Sequence, residues 1–169
     1  IIFLVTGIIS GFIAGLLGVG GGIIIVPISY FVLLYLDYSS VHAMHIAIAS
    51  SLGIICFTSL SSIRSHAKLG NINIPILKTW VPGIILGSIV GSYSASIISG
   101  EILVNIFIFL AFLIALNMAF QRDPIIVSND LPKSKFINLI ISYLIGFLSV
   151  LIGIGGGSFS VPILTMFSK

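Results

Sequence analysis

The sequence predicts an all-α, polytopic membrane protein, built as a helical bundle with an internal repeat and two glycine-broken helices. Of the 169 residues, 58% are hydrophobic and only 7% are charged, whereas a soluble domain carries about 25% charged residues. A glycine cluster occurs inside the first apolar segment and again inside the last. We therefore expect the lipid bilayer to surround the chain. The net charge of +3 reflects a few basic residues between the segments, and we expect no nucleic-acid partner.

The repeated glycine cluster is the strongest motif of the chain. Its copies span residues 11–28 and 146–163, align without a gap from Gly11 on Gly146 to Ile28 on Ile163, and agree at 10 of 18 positions. A glycine weakens a helix interior by about 1 kcal/mol relative to alanine, and a break leaves backbone groups that lipid cannot satisfy. Two matched breaks in apolar segments are the pattern typical of a transporter binding site.

The apolar runs predict membrane segments over residues 3–36, 41–63, 76–98, 102–120 and 136–167. The middle three are near the ~20 residues that a spanning helix needs. The first has 34 residues, which would form a helix of about 50 Å across a hydrocarbon core of about 30 Å. We therefore predict two half-helices in each long segment. Pro27 and Pro162 then fall in the opening turns of the second halves, where first-turn amides lack partners and proline is tolerated.

The repeat also sets the domain organisation. We assign residues 1–120 to a first repeat of about four membrane segments, 121–135 to a cytoplasmic linker, and 136–169 to the start of a second repeat. The linker is polar and rich in turn residues, as expected of a surface loop. The first repeat continues through three further apolar segments after its glycine cluster, and the second repeat does not. We therefore expect the chain to be a fragment of a longer protein.

Charged residues predict the orientation of the bundle. The six basic residues that flank two loops on one side are Arg64, Lys68, Lys78, Arg122, Lys133 and Lys135. The opposite side carries Asp37 and Glu101. By the positive-inside rule the basic loops are cytoplasmic, which predicts a multi-pass protein of the cell (inner) membrane.

The two broken segments can be arranged in the membrane in either of two ways. If each segment crosses the membrane, four crossings separate the repeats and the repeats run parallel. If each is a re-entrant hairpin, three crossings separate them and the repeats are inverted, as is common in transporters. The length of the segments suits a tilted, broken span, so we favour crossing segments.

Backbone amides are the remaining source of positive potential, because the apolar segments hold no Lys, Arg, Asp or Glu in their interiors. A helix N-terminus presents free amides and about half a positive charge, and successive glycine amides can form an anion-binding concavity. The predicted substrate-binding residues are Gly20, Gly21, Gly22, Ser51, Thr58, Gly155, Gly156, Gly157 and Ser158. The alternative is that the glycines serve only close helix packing. Likewise, the hydroxyls of the second segment either line a hydrated path or hydrogen-bond neighbouring helices.

The histidines of the second segment and the tryptophan and glycines of the third can be explained by structure as well as by function. His42 and His45 share a helix face, where they either relay protons and steer anions or act as ordinary interfacial residues. No carboxylate or cysteine joins them at ligand spacing, so we predict neither a metal nor a cofactor. Trp80 is expected to anchor at the cytoplasmic boundary. The small residues of the third segment that predict close packing are Gly83, Gly87 and Gly91.

With these motifs the chain resembles the sulfite exporter TauE/SafE family, also grouped as toluene-sulfonate uptake permeases. The resemblance includes both glycine clusters, residues 49–52 and 58–60, the stretch 66–72 and the third-segment glycines, and so covers essentially the whole chain. The family consists of small transporters with about eight helices in two related halves. The resemblance implies transport of sulfite, sulfonates or other small organic anions, coupled to an ion gradient. It also implies that the later helices of the second half are missing.

The leading hypothesis is a secondary transporter for a small anion such as sulfite, a sulfonate or another small organic acid. The alternatives are a passive anion channel and a non-transporting membrane assembly subunit. Saturation of the flux and its dependence on a pH gradient distinguish a carrier from a channel. We predict that the protein is not an enzyme, because the spans contain no paired carboxylates and no nucleophile–base pair. A homo-oligomer is left open.

Overall fold

The computed structural model describes residues 7–12, 21–68, 74–120 and 135–157. The five long helices in these ranges are α1 (Gly22–Tyr35), α2 (Ser40–Lys68), α3 (Ile74–Ile97), α4 (Gly100–Phe120) and α5 (Lys135–Ile152). Residues 7–12 are also helical, and the described ranges contain no strand. Helices α2 to α5 each include a stretch long and apolar enough to cross a membrane. The predicted class, an all-α polytopic membrane protein, is confirmed.

The two long apolar segments are interrupted at the glycines, as predicted. One helix begins at Gly22 and another ends at Ile152. The explanation offered for Pro27 was wrong, because this proline lies inside α1 as its sixth residue. It therefore removes a hydrogen bond to the carbonyl of Ile23, where a first-turn proline would remove none. Pro162 lies outside the described residues.

Helix α1 ends in a tight turn that returns the chain antiparallel as α2. The amide of Asp37 donates to the carbonyl of Leu34 at 3.1 Å, and the amide of Tyr38 donates to the carbonyl of Leu33 at 3.1 Å. These two bonds form a Schellman motif, which needs a left-handed residue after the helix cap. Asp37 supplies it with φ of 60°, since a short polar side chain tolerates this conformation.

One end of the bundle carries acidic residues and the other carries basic residues. The start of α4 packs on the start of α2, because a Cβ atom added at Gly100 would lie 2.5 Å from the carbonyl oxygen of Val41. Asp37 and Glu101 lie at this acidic end. The described residues at the opposite, basic end are Arg64, Lys68, Lys78 and Lys135. The two ends therefore match the two sides that the charge pattern predicts.

Helices α3 and α5 pack closely and run in the same direction. A Cβ atom at Gly83 would approach Ser142 and the carbonyl oxygen of Leu139, and one at Gly91 would lie 2.8 Å from the carbonyl oxygen of Phe147. Later residues of α3 thus meet later residues of α5. The predicted packing role of the third-segment glycines is confirmed, because neighbouring backbone occupies the space that side chains would need.

The predicted anchoring role of Trp80 was wrong. Trp80 is only 4% exposed and lies on the same face of α3 as the packed glycines. An anchor at the membrane boundary would instead place its ring at the lipid surface. Its indole Nε1 has no hydrogen-bond partner among the described residues. Trp80 is therefore a buried residue of the helix interface.

Candidate functional site

The second glycine cluster ends α5 with a second Schellman motif. The amide of Gly153 donates to the carbonyl of Val150, and the amide of Ile154 donates to the carbonyl of Ser149, each at 3.3 Å. Gly153 takes the left-handed conformation that the motif requires, with φ of +65°. Gly155 is also left-handed, with φ of +78°. The chain returns to helix at Gly157, the residue equivalent to Gly22 at the start of α1.

The two glycine-rich breaks meet in space. A Cβ atom added at Gly22 would collide with the carbonyl oxygen of Gly153 and would lie 2.5 Å from the Cα atom of Ile154. Both neighbours are backbone atoms, which cannot move aside as a flexible side chain can. The start of α1 therefore touches the end of α5 main chain to main chain, and only glycine at position 22 permits it.

Helix α2 completes the meeting point through Ser51. This side chain is fully buried, and its hydroxyl donates to the carbonyl oxygen of Gly153 at 2.6 Å. Gly153 also packs on Ile48, since its added Cβ atom would lie 3.2 Å from the Cα atom of that residue. Ser51 therefore satisfies a carbonyl that the end of α5 leaves exposed.

The meeting point lies near the middle of α2. This helix has 29 residues, about 43 Å, and Ser51 and Ile55 lie on either side of its centre. A Cβ atom at Gly155 would lie 3.3 Å from the side chain of Ile55. We call the region formed by the start of α1, residues 153–157 and the middle of α2 the glycine junction.

The electrostatics of the glycine junction are asymmetric. The amides of Ile24 and Ile25 both donate to the carbonyl of Gly21, at 3.1 and 2.9 Å. The preceding amides of Gly22 and Ile23 have no acceptor inside α1, so the positive end of this helix faces the junction. At the end of α5, by contrast, the Schellman bonds and Ser51 already satisfy carbonyl oxygens. The amino-terminal end of α1 and the capped carboxyl-terminal end of α5 therefore meet at the junction.

The structure places most of the predicted binding residues, and their role as ligands stays a prediction. Gly20 and Ser158 lie outside the described residues. The residues placed at the glycine junction are Gly21, Gly22, Ser51, Gly155, Gly156 and Gly157. Thr58 lies two turns beyond Ser51 on α2, is exposed, and donates to the carbonyl of Ile55 at 3.2 Å. In the described chain it therefore lies beside the junction and not within it.

Sequence reasoning missed Ser149 of α5. This serine is 5% exposed, and a Cβ atom at Gly156 would lie 3.8 Å from its Oγ atom. The signal available in the sequence was its helical spacing, one turn before Gly153 in an otherwise apolar run. Hydrophobic patterning alone does not distinguish such a serine from a packing residue.

An apolar helical bundle in which two interrupted segments meet at mid-helix defines the class of the chain as a polytopic membrane protein. The chain belongs to the sulfite exporter TauE/SafE family, whose model matches residues 3–169. This confirms the resemblance that the sequence motifs indicate.

Curated relatives agree with this family. A probable membrane transporter protein of Haemophilus influenzae is 35% identical over 96% of this chain and 61% of its own length. A probable membrane transporter protein of Methanocaldococcus jannaschii is 33% identical over 98% of this chain and 61% of its own. The probable membrane transporter protein YunE of Bacillus subtilis is 28% identical over 96% and 66%, respectively. The chain thus spans less than two thirds of the length of these relatives. No solved structure matches it.

Proposed function

We propose that the full-length protein is a secondary transporter for a small oxyanion, such as sulfite or a sulfonate, which binds at the glycine junction. The observation that carries this proposal is the contact of Gly22 with Gly153 and Ile154. It brings together two breaks that occupy equivalent positions of the repeat and are far apart in the sequence. Interrupted helices that meet at a repeat interface are where secondary transporters bind substrate.

The positive end of the α1 dipole supports an anionic substrate. Helix α1 has 14 residues and directs the positive end of its dipole at the junction, where low dielectric strengthens the interaction. The carbonyl of Gly153, which would repel an anion, is bonded to Ser51. The family match supports the same chemistry, because its description names sulfite.

The experiment that tests the site is anion flux into proteoliposomes containing the full-length protein with Gly156→Ala. A Cβ atom here meets only ordinary contacts among the described atoms, Ile145 Cγ2 at 3.7 Å and Ser149 Oγ at 3.8 Å. We expect the fold to survive and sulfite flux to fall about tenfold, equivalent to ~1.4 kcal/mol, because the methyl group enters the space proposed for the anion.

The matched control is Gly53→Ala, a glycine of α2 with no atom within 4 Å of the added Cβ. This variant should transport as the wild type does. A folded Gly156→Ala protein with wild-type flux would refute the binding site. Flux that rises linearly with sulfite and ignores a pH gradient would favour the channel hypothesis over the carrier.

A further inference from the structure

Ser149 carries a buried hydroxyl that the described structure leaves without a partner. Its side chain is 5% exposed, and its Oγ atom has no hydrogen-bond partner among the described residues. Two other buried serines of the bundle are bonded. Ser142 donates to the carbonyl of Leu139 at 3.0 Å, and Ser51 donates to that of Gly153. A buried unpaired hydroxyl is costly and calls for an explanation.

Ser149 lies beside the glycine junction. Its Oγ atom is 3.8 Å from the point where a Cβ atom of Gly156 would be, so the hydroxyl lies directly beside the turn that follows α5. The carbonyl of the same residue accepts the amide of Ile154, which fixes its backbone within the Schellman motif. A serine in a helix usually bonds back to its own helix, as Ser88 does to the carbonyl of Ile84 at 2.7 Å. Ser149 does not.

The first repeat has no hydroxyl at the position equivalent to Ser149. In the ungapped alignment of the two glycine clusters, the equivalent of Ser149 in the first repeat is Ala14. Alanine would fill a similar volume without burying an unpaired polar group. The hydroxyl is therefore present in the second repeat and absent from the first.

We infer that Ser149 binds the substrate, donating its hydroxyl to one oxygen of the oxyanion held at the glycine junction. This inference rests on the proposed function and adds a buried side-chain donor beside the main-chain amides at the start of α1. A hydrogen bond to a charged oxygen is stronger than one between neutral groups. Ser149 therefore contributes to the affinity for oxyanions over anions that have no acceptor oxygen.

The test is thermal unfolding of the purified full-length protein with and without sulfite or methanesulfonate, at matched ionic strength. For Ser149→Ala we expect an unchanged or higher melting temperature without ligand, because an unpaired hydroxyl is removed. We expect the Kd for sulfite to rise about tenfold, or about 1.4 kcal/mol. Ser149→Cys, with a side chain of similar size and a weak donor, should lie between the two.

The matched control is Ser142→Ala on the same face of α5, whose hydroxyl is already bonded within its helix. Its Kd for sulfite should equal that of the wild type. A Ser149→Ala protein with wild-type Kd, or one that loses stability without ligand, would overturn the inference and leave the proposed function standing. If the wild type itself shows neither protection by sulfite nor sulfite flux, both proposals fail together.

Discussion

Gly22 and Gly156 belong to the two copies of one motif, yet they are glycines for different physical reasons. At Gly22 a side chain would occupy space held by the backbone of Gly153 and Ile154. At Gly153 and Gly155 the requirement is a left-handed backbone. At Gly156 neither reason applies among the described atoms, because the conformation is ordinary and the neighbours are at 3.7 and 3.8 Å. Packing and backbone conformation therefore explain part of each cluster, and space for a ligand beside the Cα atom is the proposed reason for Gly156.

The packing reason makes a prediction for Gly22→Ala. The added methyl group must displace main-chain atoms of the α5 terminus, so we expect a loss of about 3 kcal/mol in the free energy of unfolding. Thermal or denaturant unfolding in detergent measures this change. The control Gly53→Ala adds a methyl group to an open helix face and should gain up to about 1 kcal/mol. Equal stability of the two variants would contradict the close approach of the two breaks.

The sequence predicted the positions of the two breaks in the glycine junction, but not the role of each residue in it. The repeated motif located both breaks, because glycine runs interrupt helices in lipid. It did not reveal which glycines pack and which are open, since that depends on the neighbour across the interface. Ser51 was predicted as one of the second-segment hydroxyls that either line a hydrated path or hydrogen-bond a neighbouring helix. Its bond to the carbonyl of Gly153 agrees with the second alternative, whereas the identity of this partner depends on tertiary position and could not be read from the sequence.

At the scale of helices, polar side chains secure the ends that the apolar pattern leaves exposed. His45 of α2 places Nε2 3.1 Å from the carbonyl oxygen of Ala95 and 3.0 Å from that of Ile98. These oxygens lie at the end of α3 and in the residue that follows it, where carbonyls lack partners within the helix. His45 therefore caps α3 from a neighbouring helix and fixes the spacing of α2 and α3 at the acidic end.

This cap makes a prediction for His45→Ala. Loss of the ring leaves partly buried carbonyl oxygens without a donor, so we expect the free energy of unfolding to fall by about 1–2 kcal/mol. The control is His42→Ala, since His42 lies one turn earlier on α2 and is exposed. It should change stability by less than about 0.5 kcal/mol. A larger effect at His42 than at His45 in the same melting assay would show that the cap does not stabilise the bundle.

The positions of the helices were predictable because apolar length and flanking charge fix them. Predicted segments 76–98 and 102–120 correspond closely to Ile74–Ile97 and Gly100–Phe120. The sequence does not show which helix packs against which. The glycines of α3 predict a close neighbour, but several helices could have supplied it. Only the structure shows that α5 does so, through Leu139, Ser142 and Phe147.

At the scale of the whole molecule, the described helices give each repeat one half of its broken segment. Helix α1 runs from the glycine junction to the acidic end, and α5 runs from the basic end to the junction. Both directions agree with crossing segments and with re-entrant hairpins, because the two arrangements differ only in the complementary halves. Crossing segments make the repeats parallel and re-entrant hairpins make them inverted. The arrangement therefore determines how the two halves move to alternate access.

We predict crossing segments, so the chain after Gly157 should continue to the acidic, extracytoplasmic end. A Ser168→Cys variant of the full-length protein, in a Cys56→Ser background, should then react with a membrane-impermeant maleimide on intact cells. Cys56, the single cysteine of these 169 residues, is removed because it is exposed, and any cysteine in the remainder of the full-length protein is replaced as well. Asp37→Cys, at the acidic end, serves as the positive control, and Lys68→Cys, at the basic end, as the negative control. Labelling of position 168 only after the cells are permeabilised, as for Lys68→Cys, would instead establish re-entrant hairpins. The repeats would then be inverted, and the anion would be released by movement of two hairpins and not by rocking of two spans.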